Sequence, residues 1–261
     1  MKDGHIHTPF CPHGSTDTFE MYIEKALEIG LKEISFMEHF PLPEKFINLY
    51  PEFNMDGNVK EENFEAYIKE VNFFKEKYKD KLKINVGAEV DYIEGYENEI
   101  KFMLDKYGKY FDDSILSVHM IKVNENYYPI DYSQESFNKL VELAGSLENV
   151  YQKYYEIIKK SINSDLGIYK PTRIGHLNLI RRFSYDYKID YNKFPVVMEL
   201  LRIMRKKNYT LDYNISGERK EGCGIYIDDF LFRQILELDI KMIYGSDAHT
   251  AKDISSLKKF I

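Results

Sequence analysis

Tryptophan is absent from the 261 residues, and cysteine occurs only twice, at Cys11 and Cys223. Two cysteines make neither a disulfide framework nor a Cys-x-x-Cys pair, which points to a reducing compartment. No run of about 18 apolar residues is present to span a membrane. The chain enters its first strand-like run without an apolar leader. Basic residues are outnumbered, 36 Lys and Arg against 43 Asp and Glu, giving a net charge of -7. A nucleic-acid-binding surface would need a basic patch instead. The expectation is a soluble, cytoplasmic protein with no nucleic-acid or membrane partner; composition leaves the oligomeric state open.

With 44% hydrophobic residues, the chain can build a sizeable core. Short apolar runs fall at 3–7, 33–37, 83–88, 114–118, 172–176, 210–215 and 240–245. Amphipathic stretches of helix length fall between them, at about 17–30, 61–79, 96–107, 134–162, 193–207 and 228–238. In the longest, Leu140, Leu143, Leu147, Val150, Tyr154 and Ile157 follow the three-and-four spacing of one buried helix face. Thr16 or Asp17 can cap the first helix, with Glu20 placed for a capping box. Alternation of strand and helix implies an α/β fold with a parallel sheet, and seven strands imply a closed or nearly closed barrel. No linker composition or repeat interrupts it, so residues 1–261 read as one domain. The irregular stretches are 41–60, of a length usual for a lid or binding loop, and 120–133.

The histidines are the informative residues. Asp3-Gly4-His5-Ile6-His7 places three potential ligands, Asp3, His5 and His7, at alternate positions, on one face of an extended strand. His5 and His7 end the first strand and His13 follows in the next loop. His39, His119, His176 and His249 follow the second, fourth, fifth and seventh strands, and Glu89 and Asp247 share their register. A single histidine is more often a packing or surface residue. Seven at the same end of repeating strand-helix units are another matter, because in a barrel those ends converge on one rim. So many imidazoles would repel if charged and lack donors if neutral, and divalent cations resolve this. Imidazole with carboxylate suits zinc, iron or manganese. Nine ligands, His5, His7, His13, His39, Glu89, His119, His176, Asp247 and His249, make room for two or three ions.

These motifs in this order, Asp3-Gly4-His5-Ile6-His7, His13, Glu38-His39, Gly87-Ala88-Glu89, Ser117-Val118-His119, Gly175-His176 and Ser246-Asp247-Ala248-His249, resemble the polymerase-and-histidinol-phosphatase (PHP) superfamily of metal-dependent phosphoesterases. The resemblance implies a distorted (β/α)7 barrel. Within the superfamily the chain is similar to the monofunctional histidinol-phosphate phosphatases, through His7-Thr8-Pro9-Phe10-Cys11-Pro12-His13-Gly14, Glu38-His39-Phe40-Pro41-Leu42-Pro43 and Pro129-Ile130-Asp131. Ile174-Gly175-His176-Leu177 and Asn214-x-Ser216-Gly217-x-Arg219-Lys220 add to it. It departs at Cys223-Gly224-Ile225-Tyr226-Ile227, where the pattern has a Glu and prolines around the tyrosine. The family's trinuclear pattern implies a first site of His5, His7, Glu89 and Asp247. A second would take Glu89, His119 and His176, with Glu89 bridging, and a third His13, His39 and His249.

The activity so implied is hydrolysis of a small phosphate monoester, L-histidinol phosphate, in histidine biosynthesis. The alternative is another PHP phosphoesterase, a phosphotyrosine phosphatase or a nucleotide 3′–5′ exonuclease. A non-catalytic metal-binding or regulatory module would have no use for a complete ligand set. Clustered divalent ions lower the pKa of bound water to about 7, so hydroxide attacks without a covalent intermediate. Rival chemistries lack their residues: Asp17 and Asp229 stand where the arginine of Cys-x5-Arg would be, and no Asp-x-Asp-x-Thr occurs. Cys11 is read as a small packing residue. Glu89, Asp247 and His249 are the candidate catalytic residues, with Asp247 or His249 protonating the leaving alkoxide. Arg182, beside Arg181, and Arg219 are candidate phosphate clamps, since a planar guanidinium suits bidentate contact.

Overall fold

The computed structural model describes residues 1–54, 57–220 and 223–254. Seven strands form one parallel sheet: β1 (Lys2–Ile6), β2 (Glu33–His39), β3 (Lys83–Asp91), β4 (Asp113–Ser117), β7 (Arg173–Ile174), β8 (Thr210–Asn214) and β9 (Met242–Gly245). They lie side by side in chain order. The sheet nearly closes, because Ile6 bridges Ala248 in parallel. His7 N donates to Ala248 O at 2.9 Å and Asp247 N to His5 O at 2.7 Å. This is the distorted (β/α)7 barrel expected.

The helices follow the strands as amphipathic spacing requires. Helix α1 (Phe19–Glu28) buries Phe19, Tyr22, Ile23 and Ala26 against the sheet. Its cap is Thr18, whose side chain accepts from Met21 N, and not Thr16 or Asp17; Asp17 instead accepts from Ala251 N at 2.7 Å. Helices α3 (Glu61–Tyr78), α4 (Glu97–Tyr107), α7 (Pro195–Lys206) and α8 (Asp229–Glu237) stand within two residues of their expected bounds. The expected helix over 134–162 is two helices, α5 (Gln134–Ala144) and α6 (Leu147–Asn163). Gly145 stops the first at φ +85°, a conformation glycine adopts without strain, and Ser146 caps the second by accepting from Asn149 N.

Both irregular stretches hold structure. Residues 120–129 form a hairpin of β5 (Met120–Val123) and β6 (Asn126–Pro129). Segment 41–60 carries the short helix α2 (Glu44–Leu49), and its positions 55 and 56 lie outside the described residues. Phe46 of α2 is fully buried, with its ring 5.1 Å from Tyr96, just before α4, and 5.1 Å from Tyr127 of the hairpin. Aromatic contact thus packs the two insertions together at the rim.

The lower barrel interior is polar. Arg173 pairs with Asp113 at 3.0 Å and donates to Gly4 O, while Lys2 and Ser35 each reach Asp113 at 2.8 Å. A Cβ on Gly4 would collide with the Arg173 guanidinium, which is why the first motif carries glycine between Asp3 and His5. Among the described residues no helix is long and apolar enough to cross a membrane.

Candidate metal centre

All nine expected ligands converge on the C-terminal rim. His5 lies in β1 and His7 just past it, His39 ends β2, and Glu89 stands on β3 paired with His39. His119 follows β4, His176 follows β7, and Asp247 and His249 follow β9. Strand ends deliver these residues because each parallel strand leaves its last side chains at the same edge.

The rings meet in pairs. Nε2 of His5 faces Nε2 of His7 at 3.2 Å, His119 faces His176 at 3.2 Å, and His13 faces His249 at 3.0 Å. Behind four of these six rings the other nitrogen is held from outside. His5 Nδ1 is 2.8 Å from Asp212, His119 Nδ1 2.5 Å from Asp91, His7 Nδ1 3.4 Å from Glu38, and His249 Nδ1 3.0 Å from Asp247 O. A proton kept at Nδ1 leaves the Nε2 lone pair facing its partner's. Two lone pairs at that distance repel unless a proton or a metal cation is held between them, and metal uptake exchanges the one for the other. At a zinc–nitrogen bond of about 2.0–2.1 Å, two nitrogens on one tetrahedral ion stand roughly 3.2–3.4 Å apart. The donor set therefore fits divalent transition-metal ions.

Glu89 joins two of these pairs. Its Oε1 lies 2.9 Å from His176 Nε2 and 3.6 Å from His119 Nε2, and its Oε2 lies 3.4 Å from His5 Nε2 and 3.6 Å from His7 Nε2. Ser117 holds Oε1 at 2.7 Å. Asp247 Oδ1 approaches His7 Nε2 at 3.1 Å, while Ser216 Oγ and Asn214 Nδ2 donate to its Oδ2 at 2.8 and 3.2 Å. His5, His7 and Asp247 make one group of converging ligand atoms, and Glu89, His119 and His176 another. The third group is composed differently from the expected one: His39 and His249 stand with His7 and Cys11, all ligand atoms within 4.8 Å. His13 lies outward, at the exposed side of His249.

Electrostatics follows from which ring owns a carboxylate. Burial alone would lower His5, but Asp212, Glu89 and Asp247 carry it up to about 10. Burial likewise opposes His119, which Asp91 and Glu89 raise to about 10. His39 and His249 are pushed down by burial and by the charge on His7, His249 to about 3. Burial would raise the Glu89 carboxyl, yet His5 and His119 hold it well below the usual carboxylate range.

Asp3 does not join its histidines as a ligand: its Oδ1 accepts from the backbone N of His5 and Ser246 at 3.2 and 3.0 Å. Arg219 donates through Nη2 to Ser246 O at 2.8 Å and Asp247 O at 2.9 Å. The Arg182 guanidinium packs 4.8 Å over the Phe183 ring, while Arg181 Nη1 points to Asp228 at 4.0 Å. Asp91 and Asp212, and Glu38 beyond its place in the Glu38-His39 motif, have roles that no sequence pattern assigned. Their signal was a carboxylate inside a strand whose neighbours are buried. Tyr226, in the segment that departs from the family pattern, is fully buried with its ring 6.2 Å from His176.

Comparison with known proteins agrees with this geometry. The PHP domain family matches residues 3–216. The histidinol-phosphatase of Bacillus subtilis is 42% identical over 256 residues, 97% of this chain and 95% of that protein. The histidinol-phosphatase of Lactococcus lactis is 27% identical, covering 96% of this chain and 84% of that protein. The crystal structure of a Listeria monocytogenes protein, proposed there as a histidinol phosphatase, superimposes with a TM-score of 0.94 at 34% identity, covering 100% of both chains. A Lactococcus lactis histidinol phosphate phosphatase, crystallised with zinc, L-histidinol and phosphate, gives a TM-score of 0.65 at 21% identity over 96% of this chain and 86% of that one, which speaks for the fold. By its motifs, its barrel and these matches, the chain belongs to the PHP family.

Proposed function

We propose that this protein is a histidinol-phosphatase, hydrolysing L-histidinol phosphate to L-histidinol and phosphate in the cytoplasm as part of histidine biosynthesis. The observation that carries this reading is the 42% identity with the Bacillus subtilis histidinol-phosphatase across 97% of the chain, supported by three groups of converging ligand atoms at the rim.

The rim would hold three divalent ions of the zinc, iron or manganese class, one per facing imidazole pair, with Glu89 shared between two. Bound there, such ions neutralise phosphoryl oxygens and acidify water for in-line attack. Roughly three dications against the two ligand carboxylates leave a positive hollow in an acidic protein, suited to a dianionic phosphate monoester.

The chain's own residues do the rest. Asp212, Asp91 and Glu38 hold the rings of His5, His119 and His7 in the tautomer that offers Nε2 inward. Ser216 and Asn214 orient Asp247, and Ser117 orients Glu89. Exchange of a proton with the leaving oxygen falls to Asp247 or His249, which close the cluster on the β9 side. Arg182 and Arg219 remain the candidate phosphate contacts. Arg219 also anchors the Ser246-Asp247 backbone.

Phosphate release by the metal-loaded protein from histidinol phosphate, phosphotyrosine and mononucleotides, assayed in parallel, tests the reading. The expected outcome is a kcat/KM for histidinol phosphate well above the others. A preference for phosphotyrosine or for nucleotide ends would replace it with another PHP activity.

A further inference from the structure

Cys11 sits in the loop between His7 and His13, and its neighbours are not those of a packing residue. Its thiol is buried and belongs to a group with His7, His39 and His249 whose ligand atoms all lie within 4.8 Å of one another. The backbone fixes that orientation: Cys11 N donates to Thr8 O and Gly14 N to Cys11 O, each at 3.0 Å. The loop is therefore a tight double turn with the cysteine at its inner bend.

His39 supplies an independent sign. It is 8% exposed, and its Nε2 is buried without a hydrogen-bond partner. Its ring stands 4.3 Å from that of His7, 5.0 Å from that of His13 and 6.0 Å from that of His249. A neutral imidazole nitrogen left so among other imidazoles forfeits a hydrogen bond, which a cation in the same group would replace.

We propose that Cys11 is a thiolate ligand of the third cation position, completing it with His39 and His249 and with His13 at the outer side. Binding exchanges the thiol S–H bond for a sulfur–metal bond and releases one proton to solvent. A donor set of imidazoles with a thiolate favours zinc, whereas the nitrogen and oxygen ligands around Glu89 also suit manganese or iron. The third position then differs from the other two in kind: it holds the His7–His13 loop and is selective for a softer ion. This assignment rests on the reading of the rim as a metal centre, not on the identity of the substrate.

Cobalt(II) loading of chelator-stripped protein tests it. A thiolate-to-cobalt charge-transfer band in the near ultraviolet is expected in wild type and in Cys223→Ser. In Cys11→Ser the band should be lost, while the visible absorption of imidazole-bound cobalt remains. Should Cys11→Ser fail to fold, cadmium-113 NMR of the wild type decides alone, because one sulfur ligand moves one resonance downfield of the others. No charge-transfer band in cobalt-saturated wild type, no downfield cadmium resonance, or a band that survives in Cys11→Ser overturns the assignment. Histidinol phosphate hydrolysis by the same wild-type sample separates the two readings. Turnover without a sulfur signature defeats only the Cys11 ligand, and a sulfur signature without turnover defeats only the phosphatase.

Discussion

Asp212 Oδ2 lies 2.8 Å from Nδ1 of His5, and neither side chain has any exposed surface. A carboxylate placed so deep is costly unless it is paired. Here it accepts from His5 and from Asn214 Nδ2 at 3.0 Å, and Asn214 in turn reaches Asp247. Asp212 thus links two ligands of one cluster without lying on the metal side of either.

Asp212→Asn should therefore leave the ligand set complete and still weaken it. The amide can present its oxygen to His5 but loses the charge that raises ring basicity. Metal affinity is expected to fall about 10- to 100-fold, the usual range for an outer carboxylate behind a metal-binding histidine. Competition with a chromophoric chelator measures this, and excess metal should restore most of kcat. Unchanged affinity would show that Asn214 and the barrel wall alone orient His5.

Glu89→Gln should be more severe than any outer substitution, because Oε1 and Oε2 address different histidine pairs. An amide gives one oxygen where the wild type gives two, so both clusters lose a ligand atom or its charge. Metal content per chain should drop and kcat/KM should fall beyond the ~100-fold expected of outer positions. Near-native turnover at full metal content would remove Glu89 from the bridge.

The strand and helix order was legible in the sequence because hydrophobic period and histidine position told the same story. Every histidine assigned to a strand end stands at the rim, since a parallel strand can place its last residues nowhere else. The break at Gly145-Ser146 was hidden by Leu140, Leu143, Leu147 and Val150, whose spacing runs on across the break as if one helix continued. The hairpin over 120–129 turns on Asn124 and Glu125, both with positive φ, 49° and 66°. Glutamate is not a residue that announces such a turn, as Asn-Gly would. The carboxylates behind the rings were missed for another reason: Asp91 and Asp212 pair with histidines 28 and 207 positions away, and no local pattern carries that distance.

Metal uptake should release protons. With its metals stripped, the protein holds His5 and His119 protonated up to about pH 10. A ligand must give up that proton on binding. Below pH 10 affinity should thus climb with pH, roughly tenfold per unit for each proton displaced, and collapse in acid. A pH-stat titration of stripped protein with zinc at pH 8 reads the release directly, and Asp212→Asn should lessen it. Zinc binding at pH 8 with no proton released would mean the rings are already neutral before the metal arrives.

Arg219 provides the last prediction, since it touches the backbone of a ligand. Asp247 has φ 52°, a left-handed conformation that costs a non-glycine residue about 1 kcal/mol or more. Asn214 and Ser216 hold its side chain, and Arg219 Nη2 grips its carbonyl and that of Ser246. Losing charge-assisted hydrogen bonds of this kind costs about 1.5–3 kcal/mol. Arg219→Ala should accordingly lower kcat/KM for histidinol phosphate by roughly ten- to a hundred-fold. Because the grip is on the turn, metal affinity should fall as well, and excess metal should recover part of the loss. The part that metal does not recover measures any direct contact with phosphate. Arg219→Lys should rescue incompletely, because an ammonium keeps the charge but not the planar fork. Steady-state kinetics beside a metal assay decides it, and unchanged kcat/KM with unchanged metal content would return Arg219 to the ordinary surface charges.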